Sequence, residues 1–147
     1  MNQKLYNPSY DDLHSYCVEM ATHISNIKGP QPTRIIGLSR GGLFPSIILS
    51  HLLHLSMTPV VYSSVHGKGE RTNANYLPEV QDRTILIVDD ISDSGHTLHE
   101  VVDYYKYIGR LPLSVALYYK EGSVHRPDFY YHTIPADAPW VIFPWEA

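Results

Sequence analysis

Apolar residues follow two different spacings in the middle of the chain. Residues 85–88 are four consecutive apolar residues, all β-branched or leucine, and this run is too short for the core of a helix. An unbroken run of this kind is typical of a central parallel strand that is buried on both faces. Further along, apolar residues recur at steps of three and four, the period of an amphipathic helix, and these are Leu98, Val101, Val102, Tyr105 and Ile108. The segment is therefore predicted to form a strand, a polar turn and a helix.

Similar strand-like runs lie before and after this segment. Residues 34–38 and 113–119 are short apolar runs, and residues 59–65 are strand-like by their β-propensity. Residues 129–134 and 140–143 look like two further short strands, separated by a segment that contains two prolines. Prolines confine such strands to a sheet edge or to a small subdomain.

Two further helices complete the alternation. Ser9 and Asp12 have the Ser-x-x-acid spacing of a helix start, and this helix is expected to stop at Gly29, which a proline follows. A second helix is expected over residues 43–55. Strands that alternate with helices predict an α/β fold, in which helices flank a central parallel sheet and ligands bind at the carboxyl ends of the strands.

Composition narrows the class of protein. The 147 residues suffice for one domain with a real core and are too few for two comfortable ones. A formal charge of −4 does not favour broad binding to nucleic acid or to an anionic membrane. Cys17 is the only cysteine, so no internal disulfide is possible, and no apolar run approaches the ~20 residues of a membrane span. We therefore expect a cytoplasmic protein that binds neither nucleic acid nor membrane.

Acidic residues and a small polar turn follow the predicted strand at residues 85–88. Asp89 and Asp90 stand where the strand should end, and residues 93–97 form a turn that leads into the predicted helix. Backbone N–H groups and the positive dipole end of a helix start suit a phosphate. Adjacent carboxylates accept hydrogen bonds from sugar hydroxyls, or face a metal that phosphates also bind. This combination predicts a site for a phosphorylated sugar.

The stretch from Ile85 to Thr97 resembles the phosphoribosyl pyrophosphate (PRPP) motif of type I phosphoribosyltransferases, with Ser94 in the slot for threonine or serine. A response-regulator receiver domain also shows paired acids after an apolar strand, but there they follow the first strand, and too little chain remains after Asp90. The resemblance implies the type I α/β fold with a small C-terminal hood. It also implies a single domain, with a core over about residues 1–120 and a hood over about residues 121–147.

A second motif follows the predicted strand at residues 34–38. The sequence Ser39-Arg40-Gly41-Gly42 resembles the family's pyrophosphate loop, in the form typical of the xanthine–guanine branch. Paired glycines let the backbone approach a ligand closely. The planar guanidinium of Arg40 offers donors that suit a pyrophosphate.

The polar segment at residues 66–81 has no apolar period, which indicates a functional lid or a disordered segment. Its place in the chain matches the family's mobile catalytic loop. Lys68 and Arg71 are candidates for binding pyrophosphate from that loop, although a solvated charged loop is an equal interpretation of either residue. Many relatives carry a Ser-Tyr pair here, and this sequence does not.

Contacts to a purine are also implied by the resemblance. Lys120 occupies the slot of a lysine that donates to the exocyclic oxygen of a 6-oxopurine. Trp140 would stack on the purine and the backbone of Val141 would meet its edge. The alternatives are an exposed lysine and a core tryptophan, and the role of Asp137 stays open.

The implied reaction transfers 5-phosphoribose from PRPP to N9 of guanine, xanthine or hypoxanthine, with Mg²⁺ as cofactor and pyrophosphate as product. Asp89 and Asp90 would fix the ribose hydroxyls and hold magnesium directly or through water. Arg40 would stabilise the departing pyrophosphate, and Asp93 is the candidate base. The 5′-phosphate would be held by Asp93, Ser94, Gly95, His96 and Thr97.

Relatives of this kind are generally dimers or tetramers, so a homodimer or homotetramer is expected. Two other functions stay open on the sequence alone. One is a nucleotide sensor or regulator with the same fold and no catalysis, and the other is a transferase for orotate or adenine.

Overall fold

The computed structural model describes residues 3–64 and 76–146. Its strands are β1 (Arg34–Ser39), β2 (Ser56–Val61), β3 (Thr84–Ser92), β4 (Leu111–Lys120) and β5 (Phe129–Ile134). Its helices are α1 (Gln3–Tyr6), α2 (Tyr10–Ser25), α3 (Leu43–Leu53) and α4 (His96–Tyr107), and a 3₁₀ turn covers Pro144–Glu146.

The five strands form one sheet in the order β2-β1-β3-β4-β5, and every neighbouring pair is parallel. Residues 85–88 of β3, the central strand, are completely buried. Because side chains alternate along a strand, Leu86 and Val88 join a core with α2 and α3, whereas Ile85 and Ile87 join a core with α4. The predicted parallel sheet with helices on its faces is confirmed.

The helix starts follow the local signals. Ser9 caps α2: its hydroxyl accepts from the backbone N–H of Asp12 at 3.1 Å, and the Asp12 carboxylate accepts from the N–H of Ser9 at 2.9 Å. One face of α2 then buries its apolar residues, including Leu13 and Cys17. The face of α4 that was predicted to be apolar is buried at Leu98, Val101, Val102 and Tyr105.

Two strand predictions need correction. Residues 140–143 do not form a strand; the backbone N–H of Ile142 instead donates to the carbonyl of Tyr6 in α1, a helix that the sequence pattern did not predict. The strand expected over residues 59–65 lies earlier in the chain, as β2. This strand is at the sheet edge, where a residue without a backbone N–H, such as Pro59, is tolerated. Within residues 3–64 and 76–146, we find no helix with the length and apolar character needed to cross a bilayer.

Candidate active site

The carboxyl ends of β1, β3 and β4 meet at one edge of the sheet because all the strands are parallel. Ser39 ends β1, Ser92 ends β3 and Lys120 ends β4. These three ends carry most of the site residues that the sequence predicts. They are joined there by the C-terminal segment, whose Trp145 and Glu146 approach Arg40 and Asp90 around one cavity.

The two adjacent carboxylates lie within β3, which runs four residues further than the apolar run. The backbone N–H of Asp90 donates to Asp89 Oδ1 at 2.8 Å, and the N–H of Ile91 donates to Asp90 Oδ1 at 2.8 Å. Burial raises the pKa of Asp89 well above its usual value, and the charge of Asp90 adds to this effect. Burial also raises the pKa of Asp90, and the carboxylate of Glu146 contributes. Ionisation of the two carboxyls is therefore disfavoured, and a bound cation would stabilise their charged forms.

The loop Ser39-Arg40-Gly41-Gly42 passes directly over these acids. A Cβ atom at Gly41 would collide with the Asp90 carboxylate, and one at Gly42 would lie 2.5 Å from the carbonyl of Leu38 and 2.6 Å from that of Val88. Both glycines are therefore needed for close approach to the ends of β1 and β3. The Ser39–Arg40 peptide bond is cis.

The Arg40 side chain is exposed and borders an open cavity of about 720 Å³. Three aromatic rings and two carboxylates share this cavity with the glycine loop. Its lining comprises Tyr10, Arg40, Gly41, Phe44, Asp90, Trp145 and Glu146. A guanidinium beside an open, partly polar cavity is placed to bind an anion such as pyrophosphate.

The turn over residues 93–97, here called the phosphate turn, connects β3 to α4. Gly95 has a φ of +84°, a left-handed conformation that glycine adopts without steric cost, and α4 begins at the next residue, His96. A small pocket of about 110 Å³ lies in this turn and is lined by Asp89, Ile91, Ser92, Asp93, Ser94, Gly95, Thr97 and Leu98. A pocket at a helix start with hydroxyl groups suits a phosphate group.

Lys120 and Asp93 form an ion pair that joins the end of β4 to the phosphate turn. Lys120 Nζ lies 3.1 Å from Asp93 Oδ1, and the two side chains keep 27% and 39% of their surface exposed. A donor and an acceptor thus stand side by side and stay accessible to a ligand.

The aromatic candidates at the C-terminus differ in exposure. Trp140 keeps 69% of its surface exposed, so the alternative of a core tryptophan is wrong, whereas Val141 is buried. Trp145 is partly buried and packs against the apolar core, with its ring 4.7 Å from that of Phe143 and 5.1 Å from that of Phe44. Lys68 and Arg71 lie outside the described residues.

The sequence of this chain matches the family model described as "Phosphoribosyl transferase domain" over residues 9–147. The chain belongs to the phosphoribosyltransferase family. It is 28% identical to the xanthine-guanine phosphoribosyltransferase of Idiomarina loihiensis, over 94% of this chain and 84% of the relative. It is 26% identical to the enzyme of the same name from Cereibacter sphaeroides, over 99% of this chain and 89% of the relative. A crystal structure of a purine phosphoribosyltransferase from Pyrococcus horikoshii superimposes with a TM-score of 0.80 at 27% identity, over 96% of this chain and 93% of that one.

The predicted type I phosphoribosyltransferase fold is thereby confirmed. Sequence reasoning missed several residues that line the cavity beside Arg40. Tyr10 and Phe44 gave no signal beyond helix periodicity, and Glu146 was visible only as part of the Pro-Trp-acid ending. Their place at the site depends on how α2, α3 and the C-terminal turn pack around the loop at Ser39.

A metal ion in this phosphoribosyltransferase would need ligands from the substrate as well as from the protein. Among the described ranges, 3–64 and 76–146, no three or more His, Cys, Asp or Glu side chains are grouped to hold a metal ion. Magnesium commonly takes one or two carboxylates and completes its shell with waters and substrate phosphates. The adjacent oxygens of Asp89 and Asp90 fit that pattern.

Proposed function

We propose that this phosphoribosyltransferase transfers 5-phosphoribose from PRPP to N9 of a 6-oxopurine and releases pyrophosphate, a purine-salvage reaction. The observation that carries this proposal is the Lys120–Asp93 pair beside the phosphate turn. A 6-oxopurine presents an oxygen acceptor at C6 next to its imidazole nitrogens. An ammonium donor adjacent to a carboxylate acceptor is complementary to that edge.

PRPP would span the edge of the sheet from the phosphate turn to the loop at Ser39. The 5′-phosphate would bind residues 93–97 through backbone N–H groups and the hydroxyls of Ser94 and Thr97, with His96 contributing its backbone. The ribose hydroxyls would donate to Asp89 and Asp90. The pyrophosphate would face Ser39, Arg40, Gly41 and Gly42.

In the reaction the C1′–O bond to pyrophosphate breaks and the bond from C1′ to N9 forms. The sugar carbon becomes cationic and the leaving group gains charge, so catalysis depends mainly on alignment and on charge stabilisation. Arg40 would stabilise the departing pyrophosphate. Asp93 would accept the proton that the purine loses, which makes N9 a better nucleophile.

Magnesium is the proposed cofactor, held by Asp89 and Asp90 directly or through water, and it would neutralise pyrophosphate charge. The raised pKa values of these adjacent carboxyls support this assignment, because a divalent cation would stabilise their charged forms.

The purine would lie under the C-terminal hood, proposed over about residues 121–147 against a core over about residues 1–120. Exposure of the Trp140 ring supports a stacking role, and buried Val141 would meet the purine edge through its backbone. Lys68 and Arg71, outside the described residues, are proposed to bind pyrophosphate from the loop.

A homodimer or homotetramer is also proposed. Ile47 and Leu52 of α3 are apolar and exposed, which supports an interface between copies of the chain.

A panel of bases tests the function. Purified protein with PRPP and Mg²⁺ is expected to release pyrophosphate with guanine, xanthine or hypoxanthine, and not with adenine or orotate. Lys120→Met should raise KM for the 6-oxopurine about tenfold or more, since a hydrogen bond from a charged group is worth about 1.5–3 kcal/mol. KM for PRPP should stay within about twofold, which corresponds to about 0.4 kcal/mol, because PRPP is not proposed to contact Lys120.

The outcomes separate the alternatives. Binding of PRPP or a nucleotide without pyrophosphate release from any base would favour a sensor. Turnover with adenine or orotate would favour another transferase. An unchanged KM for the 6-oxopurine in Lys120→Met would remove Lys120 from the purine site and leave the exposed-lysine interpretation.

A further inference from the structure

The loop over residues 121–128, between β4 and β5, packs against the back of the phosphate turn. The backbone N–H of Val124 donates to the carbonyl of Ser94 at 2.9 Å. The hydroxyl of Ser92, which is buried, donates to the carbonyl of His125 at 2.7 Å and lies 3.0 Å from Ser123 Oγ. Three contacts therefore join this loop to the two ends of the segment 92–94.

Gly95 shows how tight this contact is. A Cβ atom at Gly95 would collide with Ser123 Oγ and would lie 2.7 Å from the backbone nitrogen of His125. The turn that leads into α4 is thus shaped against the loop as well as by its own left-handed φ. Movement of the loop would therefore displace the turn.

The loop is in turn fixed to the sheet through the His125 side chain. His125 Nε2 lies 2.8 Å from the hydroxyl of Ser114, which is completely buried on β4. The Asp128 carboxylate accepts from the backbone N–H of Ser114 at 2.8 Å and from its hydroxyl at 3.2 Å, and the N–H of Asp128 donates back to that hydroxyl at 3.1 Å. Burial lowers the pKa of His125, which favours the neutral imidazole in this network. A continuous hydrogen-bonded path thus runs from β4 to the phosphate turn.

A polar network of this kind fixes the position of the phosphate turn more than it stabilises the fold. One hydrogen bond adds little net stability, whereas a displacement of 1 Å in a substrate-binding group costs about a hundredfold in rate.

We infer that residues 121–128 brace the phosphate turn, and that Ser123 and His125 are positioning residues for the 5′-phosphate of PRPP. This inference rests on the proposed function. The pyrophosphate end of the site is an internal reference, because the loop at Ser39 follows β1, which lies on the opposite side of β3 from β4.

The test measures two ligands that occupy different parts of the site. Ribose 5-phosphate needs the phosphate turn, and pyrophosphate needs the loop at Ser39. Calorimetry on the full chain with Mg²⁺ compares Ser123→Ala and His125→Gln with two control variants. Ser25→Ala removes a hydroxyl that donates to the carbonyl of Ala21 at 2.7 Å in α2, and His14→Gln changes an exposed histidine of the same helix.

Both brace variants should bind ribose 5-phosphate about tenfold more weakly, the equivalent of 1.4 kcal/mol, and pyrophosphate within about twofold of wild type. In steady-state assays KM for PRPP should rise. Both controls should match wild type for both ligands.

Unchanged ribose 5-phosphate binding in both brace variants would overturn the inference, as would an equal loss of both ligands, which indicates general damage. If His125→Gln fails to fold, Ser123→Ala decides the question alone. Wild-type protein that binds neither ribose 5-phosphate nor PRPP would overturn the proposed function, and the inference with it.

Discussion

At the scale of single residues, Asp89 shows a conflict between binding and stability. It is half-buried next to Asp90, and the pKa of its carboxyl is raised well above the usual value. A raised pKa in the folded state means that folded protein holds its proton more tightly than unfolded protein. The contribution of the Asp89 carboxyl to the free energy of unfolding is therefore complete below the unfolded pKa. It is lost as pH rises through the folded pKa. At neutral pH an ionised Asp89 costs stability, which substrate or metal would offset.

Asp89→Asn is accordingly expected to stabilise the ligand-free protein at neutral pH and to impair turnover. The amide keeps an Oδ1 that accepts from the N–H of Asp90, as Asp89 Oδ1 does at 2.8 Å. Unfolding free energy from urea titration should rise by about 0.5–2 kcal/mol, the usual range for a stabilising substitution. This difference should shrink as pH falls towards the unfolded pKa.

Asp137→Asn is the matched control, because this carboxyl is exposed. It should change the unfolding free energy by no more than about 0.5 kcal/mol, as surface substitutions do. A less stable Asp89→Asn protein at neutral pH would show that the Asp89 carboxylate has a stabilising partner.

At the scale of elements, local patterns predicted the units that define the fold. Each of these patterns involves only residues that are close together in the sequence. They are the buried run at residues 85–88, the capping box at Ser9 and the period of α4. The motifs at Ser39 and Asp89 were likewise visible because each is a contiguous stretch of the sequence. These contiguous signals were enough for the fold and for most of the candidate site.

Contacts between distant segments could not be read in the same way. The strand expected at residues 140–143 is absent because Ile142 pairs with Tyr6, more than 130 positions earlier in the chain. Ser123 and His125 meet the phosphate turn only because β4 and its following loop run alongside β3. No periodicity in the sequence encodes such a meeting.

The connection between β1 and α3 gives a prediction at this scale. Gly42 precedes α3 with an ordinary helical φ of −66°, so its requirement is space rather than conformation. An added methyl group would press on the carbonyls of Leu38 and Val88, at 2.5 and 2.6 Å. Gly42→Ala should therefore shift the loop, weaken pyrophosphate binding about tenfold or more, and destabilise the fold by about 1–3 kcal/mol.

Gly109→Ala separates these two effects. Gly109 has a φ of +86° and no atom within 4 Å of an added Cβ, so alanine there adds backbone strain without a clash. It should cost about 1–2 kcal/mol of stability and leave pyrophosphate binding unchanged. Pyrophosphate binding by Gly42→Ala that equals the control would show that the loop at Ser39 adapts to the methyl group.

At the scale of the whole molecule, the sheet separates two apolar cores, and the site draws residues from both sides of it. Cys17 reports on the core that α2 and α3 form with the sheet, because it is fully buried and is the only thiol. Burial raises the pKa of this thiol to about 12. The thiolate is the reactive form, so the native protein should resist thiol reagents.

Labelling of Cys17 with Ellman's reagent at pH 8 should thus be slow in native protein and complete within seconds in guanidinium. PRPP with Mg²⁺ at a hundred times Kd stabilises the folded state by about 2.7 kcal/mol. If labelling requires cooperative opening of the domain, this ligand should slow it about a hundredfold, the factor that corresponds to that free energy. Asp90→Asn, which changes a proposed ribose contact, should show little slowing at the same ligand concentration. Rapid labelling that PRPP does not affect would instead indicate that α2 opens independently of the edge where the ligand binds.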